Sequence, residues 1–280
     1  MPVADTLKSL INRKGLQSVS LPLLNRLARL QGNGLRRIFI EDGIWMHETS
    51  RGYFAYHQPY LRLNLGRIDA TARQNFLWGY TPKPGDTIVD IGAGVGEETL
   101  TFSRAVGENG KLICVEAHPR TFRCLAKMAR HNRLENVTPI FAAVTQPGVS
   151  VVTIQDDTEY LANRVGGIVG VTVPAMTVDD LHRRLNLGRV HFLKMNIEGS
   201  EREAIQGMAE ILKQTEAVCI SCHDFLAQKA GDSRLRTKKL VRDFLRQSGF
   251  NVVERFESTL PPYVRDQLWG YNCELIRRAC

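Results

Sequence analysis

Residues 88–99 read Ile-Val-Asp-Ile-Gly-Ala-Gly-Val-Gly-Glu-Glu-Thr: an apolar strand, three alternating glycines, and a run suited to open a helix. Glycines at Gly92, Gly94 and Gly96 let the backbone turn sharply and come into contact with a ligand. The spacing is G-x-G-x-G, and Glu97 stands where a dinucleotide fingerprint carries its third glycine. Glu97 and Glu98 at the helix start would oppose a pyrophosphate there, so the loop suits a nucleoside without phosphates. The following strand ends at Glu116, where a carboxylate can accept hydrogen bonds from both hydroxyls of a ribose. Together these features favour S-adenosylmethionine over a nicotinamide dinucleotide.

A second group of chemically capable residues follows two later apolar runs. Val190–Met195 leads into Asn196 and Glu198, and 217–222 leads into His223 and Asp224. In an open parallel sheet, residues just past the carboxyl ends of the strands converge on one edge, so one pocket can contain them all. His223 is the candidate general base, because an imidazole titrates near neutral pH, with Asp224 beside it. Asn196, His223 and Asp224 offer an alternative, not favoured: a divalent metal such as Mg²⁺ that orients acceptor oxygens. Glu198, before Gly199 and a helix start, is expected to bond free backbone N–H groups. Cys219-Ile220-Ser221-Cys222-His223 matches the C-x-x-C-H haem attachment pattern. It lies in an expected buried strand whose two sulfurs would point to opposite faces, so the cysteines are read as core residues.

Four stretches carry a family resemblance: Gly85-Asp86 leading into Val89-Asp90-Ile91-Gly92-Ala93; Val115-Glu116-Ala117-His118-Pro119 followed by Phe122; His131-Asn132; and Phe192-Leu193-Lys194-Met195-Asn196-Ile197-Glu198-Gly199-Ser200-Glu201. Over about residues 80 to 220 the chain resembles the FkbM family of class I S-adenosylmethionine-dependent methyltransferases. In that family the fifth position of the last stretch is usually Asp; here it is Asn196. The resemblance implies a Rossmann-like, doubly wound, mostly parallel α/β sheet. It implies that Asp90 and the loop residues Gly92, Ala93, Gly94 and Gly96 face the methionine part of the cofactor. Glu116, with Ala117 next to it, would take the ribose, Ala142 or Ala143 the adenine edge, and Asn196 would lie between cofactor and acceptor. The implied reaction is O-methylation of a hydroxyl on a small molecule, saccharide or natural product, an in-line displacement that needs alignment and removal of the hydroxyl proton. N- or C-methylation stays open. Two other classes compete: a nicotinamide-dependent oxidoreductase on the same βαβ unit, and a non-catalytic basic module that binds a surface.

The elements that must position these residues can be traced from periodicity. Strands are expected at 87–91, 111–116, 137–144, 190–195 and 217–222, with helices from the glycine loop to Val106 and from Pro119 onward. This alternation argues for a parallel sheet. Ser200 and Glu203 suggest a capping box opening a helix to about Gln214, and a helix over 234–247 precedes a final pair of strands at 250–256 and 272–276. Residues 149–178 carry Val- and Thr-rich runs around Gly166-Gly167 whose path is open. Before residue 81, two amphipathic helices (Leu7, Leu10, Ile11; then Leu23, Leu24, Leu27, Leu30 from Pro22) are expected to dock on the main domain. They precede a hairpin turning at Asp42-Gly43 and a helix over 70–80. The division is thus a helical and hairpin cap over 1–80 and a cofactor domain over 81–280. Tyr53, Tyr56, Tyr60, Tyr263, Trp269 and Tyr271 lie in irregular segments suited to a lid over an acceptor, or to packing those segments down.

With 280 residues and 43% hydrophobic positions the chain has material for a full core. No run reaches the roughly 18 apolar residues of a spanning helix; the best, 165–178, contains Pro174. Six cysteines without an apolar leader suggest reduced thiols and a cytoplasmic location. The net charge of +8 concentrates in residues 1–40 and 229–246, and solvated helix faces account for it better than nucleic acid does.

Overall fold

The computed structural model describes residues 17–30, 34–154 and 170–276. The expected helix around Leu7, the Gly166-Gly167 stretch and Cys280 lie outside them.

Among the described residues the main sheet has seven strands: β4 (Thr87–Ile91), β5 (Lys111–Glu116), β6 (Val137–Phe141), β10 (Val190–Met195), β11 (Thr215–Ser221), β12 (Phe250–Glu254) and β13 (Gln267–Asn272). Their order is β12-β13-β11-β10-β4-β5-β6, and only β13 runs antiparallel to its neighbours. The sequence order reverses between β4 and β10, the switch point where a doubly wound sheet opens a crevice. The inner strands are apolar on both faces because helices or the cap cover both. Phe192, Cys219 and Trp269 belong to the core shared with the cap, while Leu193, Met195 and Ile220 face the other way. Period two also puts Cys219 and Cys222 in opposite cores.

The cap is a three-stranded antiparallel sheet, β1 (Leu35–Glu41), β2 (Ile44–Thr49) and β3 (Gly52–Tyr56), backed by the helix Gln17–Leu30. Asp42 and Gly43 both have positive φ, 48° and 75°, as a tight hairpin requires. Leu24 and Ala28 are buried, and the Asn25 amide accepts from Ile38 N at 2.6 Å and donates to Ile38 O at 2.8 Å, tying helix to sheet. Pro22 lies within this helix rather than at its start. The cap is not a separate layer: Trp45, Phe54 and Phe76 share one core with Ile88, Phe102 and Phe192.

Several elements depart from expectation. The aromatic run after Gly52 forms strand β3, and the helix placed over 70–80 is instead Leu65–Ala70 continued by a π-helical turn over Thr71–Phe76. β6 ends at Phe141; β7 (Ala143–Val144) joins a small separate sheet with β8 (Val151–Ile154) and β9 (Val171–Met176). The single helix expected after Ser200 is broken into Glu201–Ala204, Ile205–Gly207 and Ala209–Leu212, and Ser200 makes no side-chain cap. A capping box exists at Thr177 and Asp180 instead. Cys114, Cys124, Cys219 and Cys222 are free and buried, but Cys273 is disulfide-bonded, which corrects the reading of all cysteines as thiols. Among the described residues no helix is long and apolar enough to cross a membrane.

Candidate active site

The crevice at the switch point is a cavity formed by the glycine loop, the ends of β5 and β10, and the Ala142–Val144 segment. Gly92 takes φ 77°, and a Cβ there would run into the Asn196 carbonyl, because the ends of β4 and β10 close on one another. Asn196 N donates to Ile91 O at 2.9 Å in the same closure. Gly94, at φ 59°, differs: a Cβ would meet nothing within 4 Å, and its surface lies open to the cavity. Gly96 serves packing, since a Cβ would collide with Met128 and Leu125 of the helix Pro119–His131. It does not line the cavity, contrary to the cofactor-facing role expected for it.

Glu116 reaches into this cavity with both oxygens anchored: Oε2 accepts from Gly94 N at 3.0 Å and Oε1 from His118 N at 2.8 Å. A carboxylate has about four acceptor sites, so these bonds fix its orientation and leave capacity for two hydroxyls. Burial pushes its carboxyl above the usual range, against the backbone N–H groups that lower it. Ala117, Ala142 and Ala143, with Val144 and Ile154, supply an apolar wall of the kind a flat heterocycle needs. Open Gly94, spare acceptor capacity at Glu116 and this wall fit an adenosine-bearing ligand. Ala93 also lines the cavity.

Asp90 does not. It is fully buried and pairs with the Lys194 ammonium at 2.7 Å, its direct register partner across β4 and β10. Lys194 also donates to Gly92 O at 3.0 Å and lies 4.9 Å from the Phe76 ring centroid. The π-helical turn brings that ring over the charge, a recurrent use of such bulges near sites. Burial alone would lower the Lys194 pKa, but the Asp90 and Glu98 carboxylates outweigh it and hold the ammonium above its usual range. Asp90 therefore fixes the glycine loop through Lys194 instead of touching a ligand. A lysine inside an apolar strand, opposite an aspartate in the neighbouring one, was the available signal for this pair.

A second cavity opens beside the first, between the sheet edge and the cap. The two share Glu97, Glu98, Asn196 and Glu198 as common lining residues. Glu97 accepts from Tyr56 Oη at 2.7 Å, and burial raises its pKa. Burial pushes Glu98 up to about 7, opposed by Lys194 and reinforced by Glu97 and Asp90. Tyr60, Phe225 and Tyr263 line the second cavity with Tyr56, whereas Trp269 is buried in the sheet, Tyr271 bonds Gly79 O and Tyr53 packs on His131.

His223 is also in this second cavity, but its partners are not the expected ones. Its Nδ1 bonds buried Glu201 at 2.8 Å and its Nε2 lies 3.5 Å from Glu198. Burial alone would lower its pKa; the two glutamates outweigh that and push it up to about 10. An imidazolium held this way donates protons and cannot act as the general base at neutral pH, which corrects the role assigned to it. Glu201 also accepts from Thr237 Oγ1 at 2.9 Å and from Gly199 N at 3.1 Å, so it, and not Glu198, satisfies the backbone at the helix start. Glu198 sits at φ 54° with its carboxylate at the junction of the cavities. Asp224 turns away to accept from Thr237 N and Lys238 N at 2.8 and 2.9 Å, capping the helix Lys238–Gln247. It is not a partner of the imidazole, and the Asn196, His223, Asp224 metal set is not assembled. Among the described residues no three His, Cys, Asp or Glu side chains gather as a metal site would require.

Residues 90–252 match the family model described as the methyltransferase FkbM domain. No curated protein sequence matches the chain. Among solved structures it is similar to methyltransferase FkbM from Methylobacillus flagellatus KT, at 16% identity and TM-score 0.45, over 67% of this chain and 43% of that one. The chain thus spans less than half the length of that protein. It is also similar to Aeropyrum pernix fibrillarin in complex with S-adenosyl-L-methionine, at 16% identity and TM-score 0.45 over 85% and 98% of the two chains. A SAM-dependent methyltransferase from Aquifex aeolicus aligns at 15% identity and TM-score 0.41 over 75% and 98%.

Proposed function

The chain belongs to the FkbM methyltransferase family, a family of S-adenosylmethionine-dependent enzymes, and from that premise we propose that it methylates a hydroxyl group on a small molecule or saccharide. The observation that carries this reading is the junction: the cavity at the glycine loop and Glu116 meets a second, roomier one at Glu97, Glu98, Asn196 and Glu198. Glu116 would hold the ribose diol, Gly94 and Ala93 the methionine part, and Ala142 and Ala143 the adenine. The cofactor, when bound, supplies an electrophilic methyl on a sulfonium.

The chain's own part is to bind the acceptor, align its hydroxyl and take its proton. Glu98 is the junction carboxylate suited to accept that proton: its side chain bonds its own backbone N–H, whereas Glu97 is bonded to Tyr56 and Glu198 faces His223. The Asn196 side chain, which makes no hydrogen bond among the described residues, would orient the acceptor oxygen. His223 acts as a positioning residue that holds Glu198 and Glu201.

Calorimetric titration tests the reading. S-adenosylhomocysteine should bind and NADH should not; NADH binding with no response to S-adenosylhomocysteine would replace methyl transfer with oxidoreduction.

A further inference from the structure

Resting on the reading that the second cavity receives the acceptor, we propose that Arg62 and Arg67 form an anion subsite at its mouth. The acceptor is then a hydroxylated molecule that carries a carboxylate or phosphate remote from the hydroxyl to be methylated.

Both arginines line the second cavity from the cap side and both are exposed. Neither guanidinium makes a hydrogen bond or ion pair among the described residues. Five other arginines of this half of the molecule are engaged, Arg51 with Leu65 O, Arg73 with Asp69, Arg104 with Arg51 O, Arg123 with Asp42 O and Arg130 with Glu41, and none of these five lines the second cavity. The carboxylate nearest in effect to Arg67 is Glu97, and that group is already bonded by Tyr56. Two unpaired guanidinium groups thus face one cavity.

Other residues that line the same cavity have the opposite character. Glu98 and Glu198 line its junction with the first cavity. Carboxylates there repel an anion and accept from hydroxyls, while guanidinium forks bind carboxylate or phosphate oxygens in two-point geometry. The cavity therefore holds both charge signs, and a ligand with one anionic group is favoured with its charge at the arginines and its hydroxyl at Glu98. Tyr56, Tyr60 and Phe225 line the same cavity and offer ring faces to the ligand. The charge pattern does for orientation what an apolar cavity of the same size would not, because a misoriented ligand would place its anion against the junction carboxylates.

The test uses the full chain saturated with S-adenosylhomocysteine and three calorimetric probes that share one ring: glucose 6-phosphate, glucuronate and glucose. At least one charged sugar should bind about tenfold more tightly than glucose, and which one identifies the group as phosphate or carboxylate. In the double variant R62Q/R67Q this preference should vanish while S-adenosylhomocysteine affinity stays within about twofold. Equal affinity or no binding for all three sugars, or a preference that survives in the double variant, overturns the proposal. So does a fall in S-adenosylhomocysteine affinity in the double variant, which would assign the arginines to the cofactor. Repeating the titrations without S-adenosylhomocysteine separates this inference from the reading beneath it. A charged-sugar preference in a protein that fails to bind the nucleoside keeps the subsite and removes methyl transfer.

Discussion

On the cofactor side of the junction, the groups that would touch a ligand are backbone amides, a bare glycine surface, small apolar side chains and one carboxylate clamped by two N–H groups. On the acceptor side they are side-chain tips drawn from scattered segments between Tyr56 and Gln267, several of them exposed. The first cavity is fixed by the strand ends themselves, so altering its shape means altering the sheet. The second is fixed by side chains, so its contents can change while the sheet stays as it is. One fold can thereby keep a constant cofactor and vary its acceptor.

That contrast can be broken by substitution. The largest effect is expected at Gly92: in Gly92→Ala the new methyl would strike the Asn196 carbonyl at a positive φ, where the two nearest atoms are backbone. Denaturant unfolding should show a loss of about 3 kcal/mol or more, together with loss of S-adenosylhomocysteine binding. Unchanged stability would mean the two strand ends are not closed as described. Next is Glu98→Gln, which should lower methyl transfer by about 10²–10⁴-fold with cofactor affinity preserved. Because the carboxylate must be ionised to take a proton, activity should rise with pH through about 7 in the native chain and lose that limb in the variant. A retained limb would move the base elsewhere.

Glu116→Ala should weaken S-adenosylhomocysteine by roughly 10- to 100-fold, the value of hydrogen bonds to a charged group, and leave the charged-sugar preference of the second cavity intact. Loss of both would show that the cavities are not independent. The smallest effect concerns His223. Its folded pKa is raised to about 10 from the ordinary 6.5, so its stabilisation is complete below about 6.5 and fades as pH climbs through about 10. His223→Gln should flatten that decline in a stability–pH profile. An identical alkaline decline in the variant would deny the imidazolium its role between the two glutamates.

The same contrast governs what can be read from the sequence. β4, β5 and β10 were legible because buried parallel strands are continuous apolar runs, and the glycine loop and Glu116 follow them at short, fixed intervals. β3 was not, because Phe54, Ala55 and Tyr56 are buried one after another in a single core, so the strand lacks the alternation that marks a half-buried one. Asp224 misled because adjacency in sequence does not survive a helix start: one turn carries its carboxylate to the N–H groups of 237 and 238. Glu201 was invisible as a partner for His223, since His223 and Thr237, the two groups that meet it, lie 22 and 36 residues away along the chain and only the tertiary fold brings the three together. The acceptor side as a whole depends on where the cap lands, which no local pattern encodes.

The core common to Trp45, Phe54, Phe76, Ile88 and Phe192 has a consequence for cooperativity. A fragment starting at residue 81 would uncover a broad greasy surface and strip the aromatic cover from the Lys194 ammonium at the same stroke. Heating the intact chain should therefore give one melting transition, with the N-terminal third and the parallel sheet losing order together and neither surviving the other.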